Sequence, residues 1–172
     1  MIIIHCWSAP RSRSTALLYT FEARGEDTVA IDEPLYRKWL QEKIGAETAA
    51  RPYAEPFLNG EAPTDTDTDD IWRWEREKQG FNERLYHAIK SLVDSGKGDD
   101  GCLFLKQMAK FSHLFNFDTN WEVDTNNNEA NQWRDKCLIL LSDKNLTITH
   151  RHLLLIRDPI SCLGSWMGKS GR

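Results

Sequence analysis

The chain has 172 residues, 40% hydrophobic and 28% charged, enough for one domain with a buried core and without the apolar run that a membrane span requires. Its net charge of −4 and pI of about 5.7 exclude a surface that attracts nucleic acid as a whole, so any anion site must be local. The four cysteines, Cys6, Cys102, Cys137 and Cys162, show no C-x-x-C pair and no matching histidine cluster, which argues for reduced thiols in a cytoplasmic setting and against structural zinc.

In chain order, Ile2 to Trp7 is predicted as a buried strand: a short β-branched run stopped by Ser8-Ala9-Pro10. Its Met1-Ile2-Ile3-Ile4 opening lacks the basic region of a signal peptide. Leu17, Leu18 and Phe21 give the segment Ser14 to Ala23 a helical pattern, Thr28 to Ile31 reads as a second strand, and a helix is expected from Leu35 to Lys43. Residues 49–70 lose periodicity and form a polar loop. A helical stripe of Phe81, Leu85, Ile89 and Leu92 follows within Trp72 to Val93, with Trp72 and Trp74 taken as packing residues. Cys102 to Leu105 is a third strand, ending at Lys106. A second polar loop is expected over 116–131, and the apolar run Leu138 to Leu141 fits either element type. His152 to Ile156 is predicted as a buried strand, followed by Arg157-Asp158-Pro159 and a helix from Ile160 to Met167. Apolar strands alternating with helices imply a single α/β domain over 1–172: a three-layer parallel sheet flanked by helices.

In such sheets ligands bind at the carboxyl ends of the strands. The first strand runs into Pro10-Arg11-Ser12-Arg13-Ser14-Thr15, which joins two cations and three hydroxyls to the unpaired N–H groups of a helix start. The Gly and Lys of a nucleotide-binding G-x-x-x-x-G-K-[ST] loop are absent. Arg157 closes the last strand, and Ser165 lies eight residues on.

Together, P-R-S-R-S-T and the later L-I-R-D-P segment with Ser165 resemble the two signature elements of the sulfotransferases that use 3′-phosphoadenosine-5′-phosphosulfate (PAPS) on a P-loop-like fold. The opening H-C-W-S-A-P-R-S-R-S-T and Asp32-Glu33-Pro34-Leu35-Tyr36 are most similar to a bacterial and plant branch of that family. The resemblance implies that PAPS is the co-substrate, with no metal, and that a sulfuryl group passes to a hydroxyl or amine of a small-molecule, carbohydrate or protein acceptor. It further implies that Ser12, Arg13, Ser14 and Thr15 cradle the 5′-phosphosulfate and that Arg157 and Ser165 hold the 3′-phosphate. Arg11 would stand in the place of the family's catalytic lysine, with Glu33 as base and Lys106 near the transferred group. Sulfotransferase domains continue beyond the position of Arg172, so a C-terminally truncated domain is expected. The rival expectations are a P-loop kinase or nucleotide hydrolase, and a non-catalytic nucleotide-binding or interaction domain. Neither nucleic acid nor membrane is expected as a partner.

Overall fold

The computed structural model describes residues 1–9, 12–42, 79–122 and 128–156. Its elements are β1 (Ile2–Ser8), α1 (Ser14–Glu22), β2 (Thr28–Asp32), α2 (Tyr36–Glu42), α3 (Phe81–Asp94), β3 (Cys102–Met108), a 3-10 turn (Ala109–Leu114), the short strands β4 (Phe115–Asn116) and β5 (Trp121–Glu122), α4 (Asn128–Asp143) and β6 (Thr149–Leu155). The main sheet has the order β2-β3-β1-β6, and every pairing in it is parallel. This is the expected α/β architecture.

Alternation along the strands divides the side chains between two helical layers. Ile3 and Trp7 of β1, Ile31 of β2, and Leu103 and Leu105 of β3 join the larger core beneath α3, with Phe81, Leu85, Ala88, Ile89 and Leu92. Cys137 brings α4 into the same layer. Cys6 and Phe104 face the other way and meet Leu18 of α1, with Ile4, Leu17, Phe21, Ala30 and Leu155 packed around them. The Phe21 and Phe104 rings stack there at 4.0 Å and 9°.

Several predicted boundaries shift. The strand expected to be buried at His152 to Ile156 begins at Thr149 and lies at the edge of the described sheet, with Leu154 62% exposed and Leu153 and Ile156 also exposed. The uncertain run Leu138 to Leu141 is helical, within α4. Part of the loop expected over 116–131 forms the antiparallel β4–β5 pair, in which Asn116 faces Trp121, and α4 already starts at Asn128. Trp72, Trp74, the loop 49–70 and the helix expected after Pro159 lie outside the described residues.

Candidate functional site

The connection out of β1 runs through α1 on one face to β2, on one side of the sheet; the connection out of β3 runs through α4 on the other face to β6, on the opposite side. The carboxyl ends of the neighbours β1 and β3 therefore flank a switch point, where departing loops diverge and leave a crevice. Ser8 and Met108 are register partners there, and the Ser8 hydroxyl donates to the Gln107 carbonyl at 3.0 Å.

The loop above this crevice enters α1 through Arg13, which takes the left-handed conformation at φ 62°. No side chain caps the helix and its first turn holds no acidic residue, so the positive end of α1 is uncompensated. Ser12 is only 5% exposed, yet its hydroxyl has no hydrogen-bond partner. The fully buried Gln107 amide has none for either of its side-chain atoms. A buried polar group without a partner costs about 1–3 kcal/mol. The Ser12 hydroxyl marks the turn into α1 as built around something polar, while the Gln107 side chain, alternating with Lys106, lies on the Leu103 and Leu105 face of the sheet.

On the α1 face of the sheet, Lys106 Nζ reaches Asp32 Oδ1 at 2.7 Å and Glu33 Oε1 at 2.9 Å. Burial works against the charge of this lysine, but the Glu33 and Asp32 carboxylates outweigh it and lift its pKa above the ordinary value. Glu33 takes φ 43°, and its N–H donates to the Lys106 carbonyl at 2.7 Å, which carries the β2–β3 ladder one residue past Asp32. Arg84 of α3 donates to the Asp32 carbonyl at 3.0 Å.

Of the residues singled out in the sequence, Ser12, Arg13, Ser14 and Thr15 lie in the β1–α1 turn, with Ser12 and Ser14 buried and Arg13 and Thr15 exposed. Glu33 and Lys106 are brought into contact. Arg11, Arg157 and Ser165 lie outside the described residues. The sequence reading missed Gln107 and Asp32, whose roles depend on neighbouring strands.

A second polar cluster lies on the α3 face. His5 Nε2 and His150 Nδ1 are hydrogen-bonded at 3.0 Å, and the His5 and His152 rings stack at 4.6 Å. His152 Nδ1 accepts from the Trp7 indole N–H at 3.2 Å, while its Nε2 lies 3.0 Å from Asn120 Oδ1. Those two partners fix the neutral tautomer with the proton on Nε2. Burial, followed by repulsion from His152 and His150, pushes His5 down to about 3. Burial and His152 push His150 down to about 4. Among the described residues no group of three or more His, Cys, Asp or Glu side chains is arranged to hold a metal ion.

Two curated proteins of Arabidopsis thaliana are similar to part of the chain. Branched-chain-amino-acid aminotransferase-like protein 1 is 47% identical over 57 residues, which is 33% of this chain and 9% of that protein. Branched-chain-amino-acid aminotransferase-like protein 2 is 46% identical over 59 residues, 34% of this chain and 10% of that protein. The matched segment thus spans about a tenth of each relative's length. No family model matches and no solved structure matches.

These findings correct the functional part of the sequence reading. The similar proteins carry an aminotransferase-like name, and nothing connects the chain to sulfuryl transfer. The sulfotransferase assignment, PAPS as co-substrate and the P-loop label therefore fall. The kinase, nucleotide hydrolase and nucleotide-binding alternatives gain no support and fall with them. The short signature that suggested all of these is a strand, a turn and a helix start, a geometry that many α/β proteins use for unrelated ligands.

Proposed function

We propose that this chain is a small-molecule-binding α/β domain that holds an oxyanion, phosphate or carboxylate, at the N-terminus of α1, within a protein related to aminotransferase-like polypeptides. The observation that carries this reading is the Ser12 hydroxyl, buried without a partner beside an uncapped helix end. An oxyanion there accepts from the hydroxyl and from the first free N–H groups of α1, with the exposed Arg13 adding charge at the mouth. The Lys106, Asp32 and Glu33 cluster meets the remainder of the ligand with one ammonium and two partly exposed carboxylates.

Aminotransferases work through pyridoxal phosphate, which needs a reachable lysine with an uncharged amine. Lys106, the buried lysine at the strand ends, does not fit that part. Its side chain is 6% exposed, it is held by two carboxylates, and its pKa is raised. No transamination step is assigned to this chain. The free thiols of Cys6, Cys102 and Cys137 suit a reducing, cytoplasmic compartment, and no described helix is long and apolar enough to cross a membrane.

An NMR titration of the amide groups with inorganic phosphate, acetate and chloride tests the proposal. Saturable shifts at Ser12 to Thr15 are expected with phosphate or acetate, weakened by about tenfold in Ser12→Ala as one charge-assisted hydrogen bond is lost. Shifts that track ionic strength alone, with chloride equal to the oxyanions, overturn it.

A further inference from the structure

The β4–β5 hairpin is tied down by polar contacts at two points. Glu122 of β5 pairs with Lys38 of α2 at 2.9 Å. The tip is held by one imidazole, that of the exposed His152 on β6. Its Nδ1 lies 3.2 Å from the Trp7 indole nitrogen, and its Nε2 lies 3.0 Å from Asn120 Oδ1. An indole N–H only donates, so Nδ1 carries the lone pair, Nε2 the hydrogen, and Asn120 must present its oxygen. The two bonds thus run from β1 through β6 to the hairpin tip. That tip is preformed: Asn116 Oδ1 accepts from the N–H groups of Asp118 and Thr119 at 2.9 and 3.1 Å, and Asn120 turns the chain at φ 62°. Phe117 rides on it, half exposed, with its ring 5.2 Å from Trp7 and 5.4 Å from His152.

A proton on His152 reverses this arrangement. An imidazolium donates from both nitrogens, so its Nδ1–H would face the indole N–H, and no rotation of the ring restores an acceptor. The buried Trp7 would be left with an unpaired donor. The titratable groups against His152 are the imidazoles of His5 on β1 and His150 on its own strand. The hairpin meets it with the Phe115 and Phe117 rings and the Asn120 amide, and Arg151 alternates to the opposite face of β6. None of these contacts is a carboxylate that would hold the charged ring in place. His152 is also the exposed member of the three histidines, so charging it costs the least solvation, and its charge then disfavours a proton on either neighbour.

We infer that His152 is a proton-operated latch: neutral, it holds the β4–β5 tip against β1, and protonated, it releases the tip together with Phe117. The latch stands on the face of the sheet opposite α1 and does not depend on the oxyanion reading.

NMR of the full chain between about pH 7.5 and about pH 5, the span in which an imidazole takes up its proton, tests it. Burial sets the His152 midpoint below the ordinary 6.5, whereas His5 and His150 titrate at about 3 and about 4, outside that span. The Trp7 indole N–H resonance is expected to shift with the His152 midpoint. Nuclear Overhauser contacts between the Phe117 and Trp7 rings should be lost in step with it, while those between Phe21 and Phe104 in the smaller core persist. His152→Asn keeps an acceptor near the Nδ1 position and cannot titrate, so the pH response of Trp7 should vanish. His152→Phe keeps a ring without the acceptor and should show the released tip already at about pH 7.5. An indole resonance that stays in place while His152 titrates, one that still responds in His152→Asn, or Phe117 contacts that persist through the titration overturns the inference. The wild-type titration needs no substitution, so the test stands should either variant fail to fold.

Discussion

The histidine stack beneath β1 and β6 makes the domain acid-sensitive in a way that one substitution isolates. His5 is fully buried, its Nδ1 has no partner, and its ring lies against the imidazoles of His150 and His152 and the Phe115 ring. Its folded pKa of about 3 lies below the value of about 6.5 for a free histidine. The unfolded chain therefore binds the proton first. The stability that neutral His5 contributes is fully present above about pH 6.5 and is lost as the pH falls toward 3, below which both states are protonated. By about pH 4 the protonation imbalance spans about 2.5 pH units, and at about 1.4 kcal/mol per unit this is roughly 3 kcal/mol, a large share of a typical domain's stability. Urea unfolding of the wild type and His5→Phe, followed between about pH 7 and about pH 4, measures it. The aromatic replacement removes the titration while keeping a ring in the stack, and the carboxylates common to both proteins cancel in the difference. The wild type should lose roughly 3 kcal/mol more than the variant across that range. Parallel losses in the two proteins would refute the reasoning, because His5 would then be hydrated or protonated in the fold.

Three further outcomes follow from packing and charge. Gly101→Ala would place a methyl 2.5 Å from the Lys97 carbonyl oxygen and 3.0 Å from a Leu92 methyl, so thermal unfolding should show a loss of about 1–3 kcal/mol, the usual cost of overpacking. Phe104→Ala removes a fully buried ring stacked on Phe21 in the smaller core, and denaturant unfolding should register a loss of about 3–5 kcal/mol. Lys106→Met breaks two charge-assisted bonds, but the exposed portions of Asp32 and Glu33 regain water. The cost should fall near 2 kcal/mol, toward the low end for such bonds, and should shrink in high salt as repulsion between the two carboxylates is screened.

The amino-acid sequence by itself determined the layered α/β architecture. β-Branched and leucine runs at Ile2–Ile4 and Leu103–Leu105, separated by a helical stripe at Phe81, Leu85, Ile89 and Leu92, carry local periodicity that no tertiary contact is needed to read. It also placed Ser12 to Thr15 at a strand-to-helix turn and Glu33 just past β2, because the breakers Pro10 and Pro34 mark those positions, whereas the strand expected to end at Lys106 continues to Met108, since sheet pairing outlasts the apolar run. Strand order was beyond its reach. Leu153 to Leu155 has the composition of a central strand yet lies at the edge of the described sheet, since composition records apolarity and not the number of neighbours. The register that pairs His5 with His152 joins residues 147 apart in the chain and creates a stack that neither segment announces. The same holds for Lys106 against Asp32 and for Asn82 against Ala130: their partners were chosen by which strands and helices became neighbours. Hydrophobic periodicity acts over a few residues and fixes elements, whereas hydrogen-bond satisfaction and ionisation depend on whatever the fold brings within a few ångströms, and only the tertiary structure decides that.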